Sequence, residues 1–337
     1  MPCKLVFILS LFLLVSMCPK AYPSGGFVNS LGMSFELIPA GSFDMGRDGG
    51  PNNQAPKHRT SITVPFYLAT CELTQEIYLG LVKNNPSHFV NLKAPVDNLS
   101  WSDAFEFLVM LNELEGTTGY RFPSEAQWEY AARGATSSES FVPEGESLED
   151  YAWFLDNSEN STRRACDKKA NPFGLKDIYG NVWEWVADWY NPGYYQRAQQ
   201  NDPRGPRSGL EKVIRGGGFF NKAETLNSVN RFAMNPTLRY NSVGLRVLFV
   251  GDPSTLAGGK ENSALGAAAP SGAGAQAPVA AGAQTPSNTP TTAPLDPGAQ
   301  APLASTTQAP SSSPTGTDFN DKNNSEGGEA PPADYQK

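Results

Sequence analysis

From Gly251 to the C-terminus the chain consists largely of Ala, Pro, Gly, Ser and Thr, with Phe319 and Tyr335 as its only aromatic residues. Near-copies of one short phrase recur in it, beginning at Gly274, Gly282 and Gly298. Such a stretch buries too little apolar surface to offset the entropy of ordering it. A disordered tail is therefore expected over 251–337, as a cell-surface spacer or an O-glycosylated stalk, and any core must lie before it.

The other end is also set apart. Residues 1–21 read as a signal peptide, with Lys4 as the positive start and an apolar run from Leu5 to Met17. That run is shorter than the roughly 20 residues a membrane-spanning helix needs. Leu14-Val-Ser-Met-Cys18 resembles a bacterial lipobox, which makes Cys18 a candidate lipid anchor to a membrane. Met17 is not the small residue that motif wants, and cleavage near Ala21 is the other reading. On either reading the protein is expected to be secreted, periplasmic or at the cell surface.

What remains, residues 27–250, holds all six tryptophans and most of the other aromatic residues, enough for one domain with a substantial core. The net charge of −8 carries no basic stripe, which argues against a nucleic-acid partner. Met33 to Gly46 reads as two short strands turned at Pro39 to Gly41, with Phe43 and Met45 alternating as on one half-buried face. Thr74 is placed to cap a helix through Tyr78 and Val82, ahead of Pro86. A serine of Ser100-Trp101-Ser102 is placed to cap a second, in which Ala104, Phe107, Leu108, Leu111 and Leu114 recur at helical spacing before Gly116. Ser124 with Gln127 forms a capping-box pattern for a third, stopped by Gly134. The rest is rich in Gly, Pro, Asn and Asp, so an α+β, loop-rich single domain with little regular secondary structure is expected. Outside the leader there are two cysteines, Cys71 and Cys166, which either form one disulfide in an oxidising compartment or remain two separate buried thiols.

Five strings then resemble one family. They are Ile38-Pro-Ala-Gly-Ser-Phe-Asp-Met-Gly46, Pro95-Val-Asp-Asn-Leu-Ser-Trp-Ser-Asp-Ala104 and Arg121-Phe-Pro-Ser-Glu-Ala-Gln-Trp-Glu-Tyr-Ala-Ala-Arg-Gly134. Asn171-Pro-Phe-Gly-Leu-Lys-Asp-Ile-Tyr-Gly-Asn-Val-Trp-Glu-Trp185 follows, and Arg215-Gly-Gly-Gly218 with Gly244-Leu-Arg246 closes the set. In this order they resemble the formylglycine-generating enzyme, or sulfatase-modifying factor, family. The resemblance implies that family's fold, which is related to C-type lectins.

It also implies a chemistry that this chain lacks the means to perform. The family's oxidases turn a sulfatase cysteine into formylglycine with oxygen, using two cysteines that hold copper(I), a soft ion suited to thiolates. Both lie between the motifs that correspond here to Arg215–Gly218 and Gly244–Arg246. No cysteine follows Cys166, so copper is not expected. Met234, a lone thioether in that window, reads as core or rim packing. The two histidines, His58 and His88, have no metal-ligand spacing, which removes the histidine-dependent iron enzymes of related fold. No nucleophile motif such as Gly-x-Ser-x-Gly is present either. No catalytic residue is assigned.

The resemblance does imply one metal site, a structural calcium held by the side chains of Asp177 and Glu184 and the backbone carbonyls of Gly180 and Val182. Calcium takes six to eight oxygens, which a curled loop with two carboxylates helps supply. The alternative is a metal-free turn in which Glu184 accepts backbone N–H bonds. Just after this loop, Trp183 and Trp185 read as core, while the Tyr194-Tyr195 stretch behind Asn191-Pro-Gly193 reads as exposed and suited to a peptide or sugar. Asn98, Asn160 and Asn323 match the glycosylation pattern, of use only in a eukaryotic source. The expectation is an exported, non-catalytic binding or scaffold module for a protein, peptide or carbohydrate. The alternatives are an oxidase-type enzyme with a modified mechanism and a pairing partner of an active family member.

Overall fold

The computed structural model of the chain describes residues 25–257. The expected signal peptide, Cys18 and the tail beyond 257 lie outside these residues. The fold is α+β, with three helices set among short strands and long loops. A five-stranded sheet has the order β1 (Phe27–Val28), β2 (Ser34–Ile38), β5 (Phe66–Ala69), β11 (Leu248–Phe249), β6 (Tyr120–Arg121). A four-stranded sheet runs β10 (Val243–Gly244), β7 (Trp183–Trp189), β8 (Lys212–Arg215), β9 (Arg231–Met234), and β3 (Gly41–Met45) pairs with β4 (His58–Ile62).

The helices begin and end where their caps dictate. Thr74 Oγ1 accepts the Ile77 N–H at 3.4 Å and starts α1 (Gln75–Leu81). Ser100 and Asp103 form a reciprocal capping box at the head of α2 (Trp101–Glu115), and left-handed Gly116 closes it. Ser124 and Gln127 do the same for α3 (Glu125–Arg133), closed by Gly134. Each box satisfies backbone donors that a helix end leaves without partners.

The two N-terminal strands form as expected, but in different sheets. β2 pairs with β5 in register Ile38↔Phe66, whereas β3 pairs with β4 in register Met45↔His58. Phe43 is drawn onto Tyr130 of α3, ring centroids 5.4 Å apart, and this carries β3 away from β2 after the Pro39 break.

β5 is buried throughout, and its alternate residues serve two cores. Tyr67 and Ala69 join Phe107 and Leu111 of α2, while Phe66 and Leu68 join Trp128 and Ala131 of α3. This is the period-2 geometry of a strand covered on both faces. The four-stranded sheet divides likewise, Trp185 and Ile214 facing the first core and Val186 and Val213 the second. The folded unit also runs past residue 250. Leu256 is buried in the first core and the Ala257 N–H bonds the Glu115 carbonyl at 3.3 Å. A single apolar residue carried by a turn gives too weak a pattern to move a boundary read from composition.

Candidate functional site

Two features stand where the sequence motifs pointed, the loop from Asp177 to Glu184 and the window from Gly216 to Arg246. The loop is curled by left-handed backbone at Asp177 (φ 50°), Gly180 (φ 82°) and Asn181 (φ 54°). Gly180 also sits so close to Trp153 that a Cβ there would lie 2.1 Å from its carbonyl oxygen. Glu72, at the end of the segment leaving β5, clamps the loop from outside. Its carboxylate accepts the Val182 N–H at 3.1 Å and the Asn181 amide at 2.8 Å.

The four residues of the implied calcium site thus lie in one loop, but they are not equivalent. Glu184 is bonded through both oxygens. It accepts the Trp128 indole N–H at 2.6 Å and the Arg246 Nε–H at 2.9 Å, with Arg246 Nη2 at 2.8 Å. Arg246 also donates to the carbonyls of Ala69, Thr70, Lys176 and Asp177. Asp177 is different. Its Oδ2 accepts the Cys166 N–H at 2.5 Å, while its buried Oδ1 has no hydrogen-bond partner.

The charges around this loop are out of balance. Burial, then the nearby Asp177 and Glu184, hold the Glu72 carboxyl well above its usual range. Burial likewise pushes Asp177 up to about 6, against the pull of the Cys166 N–H and Arg246. Three buried carboxyls thus share one buried guanidinium, with the Lys168 ammonium acting on Asp177 as well, an arrangement that favours either a proton or a further cation. Orphaned Asp177 Oδ1 fits a cation, while Glu184 already accepts from Trp128 and Arg246. Among the described residues no group of three or more His, Cys, Asp or Glu side chains is placed to hold a metal. An ion here would rest on Asp177 and backbone oxygens, with Glu184 positioning the loop through Arg246 and Trp128.

Cys71 and Cys166 form a disulfide, Cα atoms 5.5 Å apart. Of the two outcomes left open by the sequence, the structure takes the bonded one.

The window that would carry the copper cysteines is built of other materials. Asn221 Oδ1 accepts the Gly218 N–H at 2.8 Å and the Trp183 indole N–H at 3.0 Å, and this fixes the turn after β8. Ser228 is buried and donates to the Glu139 carbonyl at 2.8 Å, so its hydroxyl is committed to structure. Met234 is buried in the first core. Phe220 and Phe232, by contrast, are 44% and 62% exposed. Phe232 lies tilted against Trp183, ring centroids 5.9 Å apart, and Phe220 lies against Phe219, which in turn meets Phe89. Leu238 and Tyr240 add further exposed apolar surface within the same window. Because β9 has β8 on one side only, this ring-bearing face sits at the edge of its sheet.

The tyrosine stretch departs from expectation. Trp183 and Trp185 are core as read, but Tyr195 is buried rather than exposed, and Tyr194 is half-buried. The Arg231 guanidinium lies 4.6 Å from the Tyr195 ring centroid, and a desolvated cation favours such a face. His58 packs on the same ring at 4.8 Å, while His88 is exposed beside Phe89.

Under this surface lies an ionic layer that no local motif announces. Arg133 and Arg215 both pair with Glu129, at 2.8 and 2.5 Å, and Arg231 pairs with Glu125. All five side chains are buried. Burial works to lower the Arg231 pKa, but Glu125 and Tyr195 more than offset it and hold the group charged. The layer fastens α3 to β8 and β9.

Comparison with known proteins follows the same lines. The family model of the sulfatase-modifying factor enzyme 1-like domain matches residues 32–249. Chaperone protein LppX of Paenibacillus barcinonensis is 26% identical over 212 residues, covering 48% of this chain and 71% of that protein. The formylglycine-generating enzyme of Streptomyces coelicolor is 32% identical over 151 residues, 41% of this chain and 44% of its own length. Serine/threonine-protein kinase pkn1 of Chlamydia pneumoniae is 27% identical over 237 residues, which is 37% of that protein. The chain therefore spans less than half of the last two. Among solved structures, Treponema denticola variable protein 1 superposes with a TM-score of 0.61 at 28% identity, over 66% of this chain and 98% of that one. PvdO from Pseudomonas aeruginosa gives 0.61 at 24% identity, over 68% and 99%, a likeness of fold.

Proposed function

Because the chain belongs to the sulfatase-modifying factor enzyme 1-like domain family, we propose that it is an exported, non-catalytic member that binds a protein or peptide chain. One observation carries this reading: the window from Gly216 to Arg246 has no cysteine and turns Phe220 and Phe232 outward instead. Copper(I) needs soft ligands, and a buried Met234 thioether with hydroxyls does not supply a pair of them.

Two polar groups in or beside this window are already satisfied. The Trp183 indole N–H is taken by Asn221, and Arg239 is held by Asp103, Nε to Oδ2 at 2.8 Å. A sugar, which needs donors and acceptors, is therefore a poorer fit than apolar side chains. The relative named as a chaperone is in keeping with a role in holding another chain. Calcium, on this reading, is a structural ion at Asp177 with the carbonyls of Gly180 and Val182. Bound there, it supplies charge to the buried carboxyls and takes no part in chemistry.

The test is oxygen consumption and formylglycine formation on a Cys-x-Pro-x-Arg peptide with copper supplied. No turnover is expected. Turnover that disappears when Cys71 or Cys166 is replaced would overturn the reading and assign the family's oxidation to a relocated cysteine pair.

A further inference from the structure

The Asp177 loop is held by two segments that have no strand or helix in common, and one covalent bond joins them. The first is Thr70 to Glu72. The Thr70 carbonyl accepts the Lys176 N–H at 2.8 Å, and Glu72 takes the Val182 N–H and the Asn181 amide. The second is the irregular stretch that ends at Cys166. Its N–H supplies the bond to Asp177 Oδ2, and its carbonyl accepts Lys176 Nζ at 3.3 Å. Cys166 holds a left-handed backbone (φ 69°), a conformation that side chains other than glycine adopt at a cost. The disulfide to Cys71 ties this strained residue to the Glu72 segment, and Cys166 itself is exposed.

We propose that the Cys71–Cys166 disulfide sets the affinity of the Asp177 loop for a divalent cation of the calcium type, so that the oxidised chain binds the ion and the reduced chain binds it weakly. This rests on the calcium reading above. The reasoning is one of preorganisation. With the bond closed, the Cys166 N–H fixes one carboxylate oxygen of Asp177 and leaves the other free for the ion. With it open, the Cys166 segment is released from the Glu72 segment. Ordering the loop must then be met from the binding free energy. A dithiol reductant performs the change: it delivers two electrons and two protons, the S–S bond breaks to two thiols, and the reductant closes its own disulfide.

Calcium chloride titrations of the full chain, read by calorimetry and by melting temperature, test this. They are run on the oxidised protein, on the same protein reduced with dithiothreitol, and on Cys71→Ser/Cys166→Ser. Far-UV circular dichroism confirms that each remains folded at the titration temperature, and Asp177→Asn serves as the ligand control. The expected result is a calcium-dependent rise in melting temperature for the oxidised chain and an affinity at least tenfold weaker in both open forms. Should the open variant not fold, the dithiothreitol-reduced wild type carries the comparison. Equal affinity in oxidised and open forms would overturn the coupling and leave the calcium reading standing. No calcium response in any form would overturn the calcium reading and the coupling with it.

Discussion

Arg231 and Glu125 meet side-on, Nε to Oε1 at 2.6 Å and Nη2 to Oε2 at 2.7 Å, although 106 residues separate them in the chain. Both are buried, so neither charge can turn to water if its partner is removed. Arg231→Met alone is expected to destabilise the fold by about 3–5 kcal/mol, because it leaves the buried Glu125 carboxylate with only the longer contacts to Arg215 and the Tyr195 hydroxyl. Adding Glu125→Gln should recover part of that loss. Urea unfolding of the two single variants and the double variant measures the coupling; strictly additive losses would contradict it.

The loop curl at Gly180 is a second target. Gly180→Ala places a methyl group against the Trp153 carbonyl at a left-handed position, with no flexible side chain to give way. A loss of roughly 2 kcal/mol or more is expected. A melting temperature within error of wild type would show that the Trp153 segment moves freely.

Asp188 supplies the pH dependence. Burial first, and Glu125 second, push its carboxyl from 3.8 up to about 7. A carboxyl with a higher pKa in the folded chain than in the unfolded one stabilises the fold while protonated. That contribution is complete below pH 3.8 and is lost as the pH rises through about 7. Asp188→Asn keeps an oxygen for the Glu125 N–H, which the native side chain accepts at 2.9 Å, and carries no charge. The variant's melting temperature is expected to gain on wild type as pH climbs across this window. Parallel curves would mean that Asp188 does not titrate there.

The exposed rings should matter to binding and not to folding. Phe220→Ser and Phe232→Ser are expected to change stability by no more than about 0.5 kcal/mol, as for other surface positions. Capture of the bound partner from exported protein should fall sharply in the double variant. Undiminished capture would move the binding face elsewhere.

Loss of the disulfide has a stability cost separate from any effect on calcium. Its cysteines are 95 residues apart, so opening it restores a long unfolded loop, and Cys71→Ser is expected to cost roughly 2–5 kcal/mol. Chemical denaturation in the absence of calcium isolates that contribution. A cost near zero would mean that the unfolded chain keeps the two segments together without the bond.

How much of this was legible beforehand depends on how local each feature is. The three helices could be read because Thr74, Ser100 and Ser124 act on donors three residues away, and Gly116 and Gly134 close the second and third helices at their other ends. The loop was legible as a motif, Asp177 to Glu184, but the commitment of Glu184 was not, since Arg246 and Trp128 reach it from positions 62 and 56 residues distant. Tyr195 was misread for the same reason. Its neighbours in sequence are loop residues, whereas its neighbours in space are Arg231 and His58. Phe220 and Phe232 gave no signal at all, because an apolar residue in a loop or short strand is ordinarily assigned to the core.

The segment between Gly218 and Val243 is anchored by what it turns inward: Leu226, Ser228, Val229, Arg231 and Met234. What it turns outward, Phe220, Phe232, Leu238 and Tyr240, is partly exposed and adds contacts at the edge, Phe220 on Phe219 and Phe232 on Trp183. Substitution at those outward positions is therefore expected to leave the scaffold folded, so that the surface chemistry of this face is set separately from its stability.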